Sequence, residues 1–362
     1  MPSTKLVKQY DNLVKQAVSH IQKSEVQDAK DTLKSAIDLM PERPAAHGYL
    51  GNVFFNESDF QSAETHYRES FSVNPYQNYI LRERLVKCIK SRDGHDDIFR
   101  TIDKDILEVH RLHWQQNYGS ISPCEAQFLR ELIHTERPQQ FLEIGTASGL
   151  STGLIASSME LAGLKQSRLR SIDLDTHFWV DREQPTGFLA ERIYDGDMVE
   201  VAIDRGVDAT SLANDESGVA YDMMFIDANH QHPWPTLDMI AALPHLKPHG
   251  VIAHHDLALY LKQTPIYGIG PKYLYDQMPK NIRVNTWDHE KNIYALKLDR
   301  SYSELEDRLI KSLYLPWTNR HKLEQDTVDR FLGIIETSWS PKLAEALVKT
   351  REKFDVRLRK KL

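Results

Sequence analysis

One stretch, FLEIGTASGLST at 141–152, restricts what this chain can fold into more than any other. Phe141, Leu142 and Ile144 form a short apolar run of strand character, with Glu143 inside it. Gly145, Ala147 and Gly149 then turn the chain, and LSTGLIASSMELAG continues it as a helix. A strand, a glycine turn and a helix N-terminus in succession build a concave surface of backbone N–H groups. Gly145 and Gly149 let that backbone come close to a ligand where a Cβ would clash. The spacing is not GxGxxG, and the chain contains no GxxxxGK[ST]. Neither the dinucleotide fingerprint nor the phosphate loop therefore fits.

RLRSIDLD at 168–175 reads as a second strand ending at Asp173 and Asp175. In open α/β sheets ligands bind outside the carboxyl ends of the strands, and an acid at the second strand end suits a ribose with two hydroxyls. FLEIGTASGLST followed by SIDLD resembles the first two motifs of class I S-adenosylmethionine-dependent methyltransferases. ISPCEAQFLRELIHTERPQQ (121–140) resembles the helix ahead of the sheet in the catechol O-methyltransferase-like group. YDMMFIDANH and LKPHGVIAHHD resemble that group's fourth and fifth strands, in the flavour of its bacterial macrocin-type branch. The resemblance covers about residues 119–300. It implies an α/β fold with a Rossmann-like seven-stranded sheet and S-adenosyl-L-methionine as cofactor. Carried onto this chain, it implies cofactor contacts from Glu143, Gly145, Ala147, Ser148, Ser151, Asp173, Asp208 and Asp227. The third strand is either 191–196 or, preferably, 199–206. Asp208 at the turn after it is either an adenine contact or a helix N-cap.

The chemistry concentrates further on. Met223–Ile226 form a buried strand that ends at Asp227, with His230 three residues later. VIAHHD forms a fifth strand ending at His255 and Asp256. Two strand ends on one sheet edge bring these side chains toward each other. Paired carboxylates suit a hard cation such as Mg²⁺, and the resemblance places metal ligands at Asp227 and Asp256. His255 stands where that group often has an aspartate, and imidazole suits Zn, Mn or Fe better than Mg²⁺. The expected metal set is thus Asp227, His255 and Asp256. His230 is the expected general base, because an imidazole titrates near neutrality; Asp227 is the expected second catalytic residue. His232, His245 and His254 are expected to be structural, and Tyr260, Tyr267, Tyr273 and Tyr275 to offer stacking surfaces for an acceptor.

Residues 1–91 repeat themselves. Pro41 and Pro75 are 34 apart, as are Ala29 and Ala63, Leu33 and Tyr67, and Ala36 and Ser70. That period resembles tetratricopeptide repeats, in which small residues let helix pairs pack closely. Segment 76–91 is the expected cap, SRDGHDD a linker, and 92–118 a linker helix that could bring Tyr118 or Ser120 near the cofactor. Residues 119–300 are the expected catalytic domain, and 301–362 a helical C-terminal extension. With 362 residues the chain has room for two or three domains. Its net charge of −7 gives nucleic-acid binding no electrostatic help. Cys88 and Cys124 lack metal spacing and read as reduced thiols, MPSTKLVKQYDNLVKQ lacks the apolar core expected of a signal peptide, and no apolar run is long enough to span a membrane. A cytoplasmic homodimer or larger oligomer is expected, with a protein partner for the repeats as a further possibility.

The expected function is O-methylation of a hydroxyl on a sugar or natural-product-type small molecule, assisted by a divalent metal. The alternatives are a hydroxylase-like enzyme on the same scaffold and a non-catalytic, repeat-containing interaction protein.

Overall fold

The structure is a computed structural model that describes residues 4–73, 81, 84, 85, 87, 88, 102–114, 118, 121–214, 218–262, 265–286, 291–298 and 301–358. The expected cap and linker fall largely outside them, as does Ser120. The chain divides into two compact units, Met1–Asp97 with Tyr260–Pro265, and Ile98–Leu259 with Ile266–Leu362.

The described residues of the first unit form helices and the turns between them. Helix Thr4–Gln22 pairs with Val26–Leu39, and Pro44–Asn56 pairs with Phe60–Val73. The positions that repeat at 34 residues serve one purpose: Ala29, Ala63, Leu33, Tyr67, Ala36 and Ser70 are all fully buried. Gly51 is small of necessity, since a Cβ there would lie 2.7 Å from the Tyr67 ring.

The second unit is built on a seven-stranded sheet in the order β3-β2-β1-β4-β5-β7-β6. The strands are β1 Gln140–Ile144, β2 Ser167–Asp173, β3 Val199–Arg205, β4 Tyr221–Ile226, β5 Leu246–His254, β6 Arg283–Asn285 and β7 Tyr294–Lys297. The first five run parallel, and β7 and β6 pair antiparallel at one edge. This is a Rossmann-like α/β sheet, as expected. The third strand is the 199–206 segment. The order reverses beside β1, so the carboxyl ends of β1, β2 and β4 frame a crevice.

The described part of the tail, 301–358, does not stand apart. Leu309, Leu313, Phe331, Ile335 and Leu347 share one apolar core with Leu142, Met224 and Ile252 of the sheet. Helices Glu306–Leu313 and Gln325–Ser338 complete one side of the second unit by packing on helix Trp234–Ala242, and Pro341–Leu358 packs on those two. Among the described residues, no helix is long and apolar enough to cross a membrane.

Candidate active site

The glycine loop is set by contacts only small residues permit. Gly145 has φ +98°, and a Cβ on it would lie 2.0 Å from the Asp227 carbonyl oxygen. The N–H of Asp227 donates to the carbonyl of Ile144 at 2.8 Å, so β4 meets β1 immediately under the loop. Asp173 holds the loop from the other side. Its Oδ2 accepts from the N–H groups of Thr146 and Ala147, each at 2.9 Å, and its Oδ1 from Asp175 at 2.8 Å.

Above this loop lies a cavity of about 380 Å³. Gly145, Ala147, Asp173, Asp208, Asp227 and His230 all line it, together with Leu174, Trp179, Trp234 and Asp238. Trp179 and Leu174 are half-exposed or more, which leaves two large apolar side chains at its rim.

Three of the expected cofactor residues do not line it. Glu143 is fully buried beneath the loop, where it accepts from Ser151 and Thr152 at 2.5 Å each and from Ser171 at 2.6 Å. Burial pushes its carboxyl up to about 7, against the pull of those three hydroxyls. Glu143 therefore fastens β1 to β2 and to helix Leu150–Leu161. Ser151 is spent on that bond, and Ser148 is buried with its carbonyl accepting from Leu189 at 2.9 Å. Asp208 lines the cavity but is already engaged. Its Oδ1 accepts from the N–H of Thr210 at 2.9 Å and from the Thr210 hydroxyl, and its Oδ2 from Arg330 at 2.9 Å.

At one end of the cavity the acids and histidines gather. His230 Nε2 lies 2.9 Å from Asp256 Oδ2 and 3.3 Å from Asp227 Oδ1. The ligand-competent atoms of Asp227, His230 and Asp256 all come within 4.8 Å of one another. Asp256 takes a left-handed φ of 60°, which an aspartate tolerates better than most residues. His255, expected as a metal ligand, is instead buried behind this group. Its Nδ1 is 2.9 Å from Asp227 and its Nε2 3.1 Å from Glu125. Carboxylates occupy both ring nitrogens and hold the imidazole well above its ordinary pKa, against the pull of burial. Both ring nitrogens are thus engaged by carboxylates, and the group whose ligand atoms lie close enough to share a cation is Asp227, His230 and Asp256. His230 is likewise raised, to about 10. Burial works against this, and Asp256 and Asp227 more than offset it.

Two members of the site escaped the sequence reading. Glu125 sits in helix Pro123–Glu136, where Ser122 and Glu125 form a capping box. The S-x-x-E pattern signals that cap; nothing in it signals that the same carboxylate also reaches His255. Asn292, just before β7, donates to Glu125 at 2.8 Å and to Asp256 at 3.1 Å, while its carbonyl oxygen accepts from Ala258 at 2.9 Å. None of the four expected stacking tyrosines lines this cavity: Tyr260 is buried, Tyr273 meets the buried His232 edge-on, Tyr275 meets Tyr294, and Tyr267 lies under Arg320. Tyr118 packs edge-on against Phe178 and Phe188.

Glu125→Gln is expected to destabilise the protein at neutral pH by about 1–3 kcal/mol, because it withdraws the charge facing a buried imidazolium. His255 draws the Glu125 carboxyl down to about 2, against the opposing effect of burial. A depressed folded-state pKa contributes stability that is full above the usual carboxylate range and lost as pH falls toward 2. Thermal denaturation of both proteins across that range checks this: the difference between them should shrink with acid.

Residues 142–257 match a family described as a methyltransferase domain. No curated protein matches the sequence. Among solved structures, the chain is similar to the O-methyltransferase TomG of Streptomyces achromogenes, involved in tomaymycin synthesis and bound to SAM. The identity is 19% and the TM-score 0.41, over 57% of this chain and 98% of that one. It is also similar to an O-methyltransferase from Bacillus cereus in complex with SAH, at 21% identity and a TM-score of 0.40, over 56% of this chain and 94% of that one.

Proposed function

We propose that the chain is an S-adenosylmethionine-dependent O-methyltransferase acting on a hydroxyl of a sugar or natural-product-type small molecule. One observation carries the reading. A single cavity joins the glycine loop and the acid at the end of β2 to Asp227 and His230 after β4, and His230 in turn meets Asp256 at 2.9 Å. The first half suits a nucleoside cofactor, and the second suits proton removal from an acceptor.

The sulfonium methyl is already a strong electrophile, so the protein must align an oxygen with it and help take the proton away. His230 lines the cavity and is the most exposed member of the cluster, with 28% of its side chain exposed against 10% for Asp227 and 13% for Asp256. In its neutral form His230 accepts the acceptor proton, and the two carboxylates then stabilise the imidazolium that results. This is the service an acid performs behind a catalytic histidine.

Asp227 and Asp256 offer the donor set for a divalent cation, as paired carboxylates do for Mg²⁺ or Mn²⁺. Such a cation would supply positive charge beside the acceptor oxygen. His230 cannot serve both tasks at once, because a nitrogen bonded to a cation has no lone pair left for a proton. With the carboxylates carrying their full charge, His230 stays protonated to about pH 10. Taking up their charge returns it to the neutral form at lower pH.

The test is transfer of a labelled methyl group from S-adenosylmethionine to a panel of hydroxylated acceptors, with and without chelator, from pH 6 to pH 10. The expected result is transfer that chelation suppresses and Mg²⁺ or Mn²⁺ restores, with a pH profile that moves to lower pH when metal is present. Full transfer in excess chelator would remove the cation from the account. No transfer to any acceptor from a protein that binds the cofactor would favour the non-catalytic alternative.

A further inference from the structure

Asp238 lines the cavity, yet no described residue bonds to it. It lies one helical turn beyond Trp234 on helix Trp234–Ala242, and both side chains face the same space. It is 6% exposed, and among the described residues no hydrogen bond or ion pair reaches its carboxyl. A buried polar group without a partner is costly unless a ligand supplies one. Burial raises the group to about 8, and the charge of Asp208 adds to the effect while that of His230 opposes it. A carboxyl in that state offers one O–H donor and one carbonyl acceptor side by side.

Its surroundings say which part of a ligand it meets. With the reacting end of the cofactor at Asp227 and His230, and the ribose at Asp173, the base extends toward the turn after β3. Helix Trp234–Ala242 packs directly on the 3₁₀ turn Ala209–Asn214 that follows Asp208. Asp208 would be the obvious reader of an adenine there, but Thr210 and Arg330 already hold both of its oxygens.

Resting on the cofactor assignment above, we propose that Asp238, and not Asp208, reads the amino edge of the adenine. Its carbonyl oxygen accepts from the exocyclic amino group, and its hydroxyl donates to the adjacent ring nitrogen. The two pairs match donor to acceptor in both directions.

Calorimetry with two ligands tests this. One is S-adenosylhomocysteine; the other is its analogue with unsubstituted purine in place of adenine. The wild type should prefer S-adenosylhomocysteine about tenfold, the worth of one well-placed hydrogen bond. Asp238→Asn should keep that preference, because a carboxamide presents the same acceptor and donor. Asp238→Leu should bind both ligands with the same reduced affinity. A preference that survives in Asp238→Leu would overturn the role of Asp238 while leaving the cofactor assignment standing. So would a wild type without preference, which needs no variant to fold. A wild type that takes up neither ligand would overturn the assignment and this inference together.

Discussion

Asp227→Asn is expected to abolish turnover while leaving S-adenosylmethionine binding nearly intact. The substitution keeps size and removes one charge. That charge faces His255 at 2.9 Å and His230 at 3.3 Å, and is one of two that could seat a cation. Loss of a group that acts on both the base and the metal should cost at least the 10²–10⁴-fold typical of a positioned proton acceptor. Affinity should hardly change, because the contribution of Asp227 to the cofactor loop is made by its backbone. Its N–H bonds to Ile144, and its carbonyl packs under Gly145. Steady-state kinetics paired with calorimetry checks both halves. A variant with wild-type turnover, or one that has lost the cofactor as well, would contradict this division of labour.

His230→Ala should lower turnover by about 10²–10⁴. The drop should appear in kcat with little change in the KM for the cofactor, since the lost interaction is made in the transition state. Raising the pH should partly restore the variant, because an acceptor that ionises on its own needs less help. The wild type should show a steeper rise toward pH 10 without metal than with it, as Asp227 and Asp256 hold His230 protonated until their charge is taken up. A variant with unchanged turnover and an unchanged pH profile would remove His230 from the chemistry.

The sheet and its cavity were legible in the sequence because both depend on local pattern. Gly145 announces a turn that no side chain could enter, and Asp227 and Asp256 announce themselves by ending apolar runs. Glu143 misled for a related reason. β1 is covered on both faces, so alternation along it does not tell which side chain meets the ligand. Only the fold shows that its carboxylate turns toward Ser151, Thr152 and Ser171. His255 misled because its neighbours are remote in sequence. Glu125 and Asn292 reach it or its partner Asp256 from a helix and a hairpin on either side of the strand. The tail was illegible for the same reason. Nothing near Arg330 signals that it binds Asp208, or near Thr318 that its hydroxyl accepts from the N–H of His232 in the segment that carries His230.

The central claim is that this cavity holds S-adenosylmethionine, with Asp173 at its ribose. Titration of S-adenosylhomocysteine into the wild type and Asp173→Ala tests it most directly. Asp173 lines the cavity and also ties the N–H groups of Thr146 and Ala147 into the loop. Its removal therefore takes away a ligand contact and slackens the loop that cradles the ligand. Losing charge-assisted hydrogen bonds of this kind costs about 1.5–3 kcal/mol. The account predicts saturable binding to the wild type that is weakened roughly ten- to a hundredfold in Asp173→Ala. No binding to the wild type, or equal affinity in the two proteins, would contradict it.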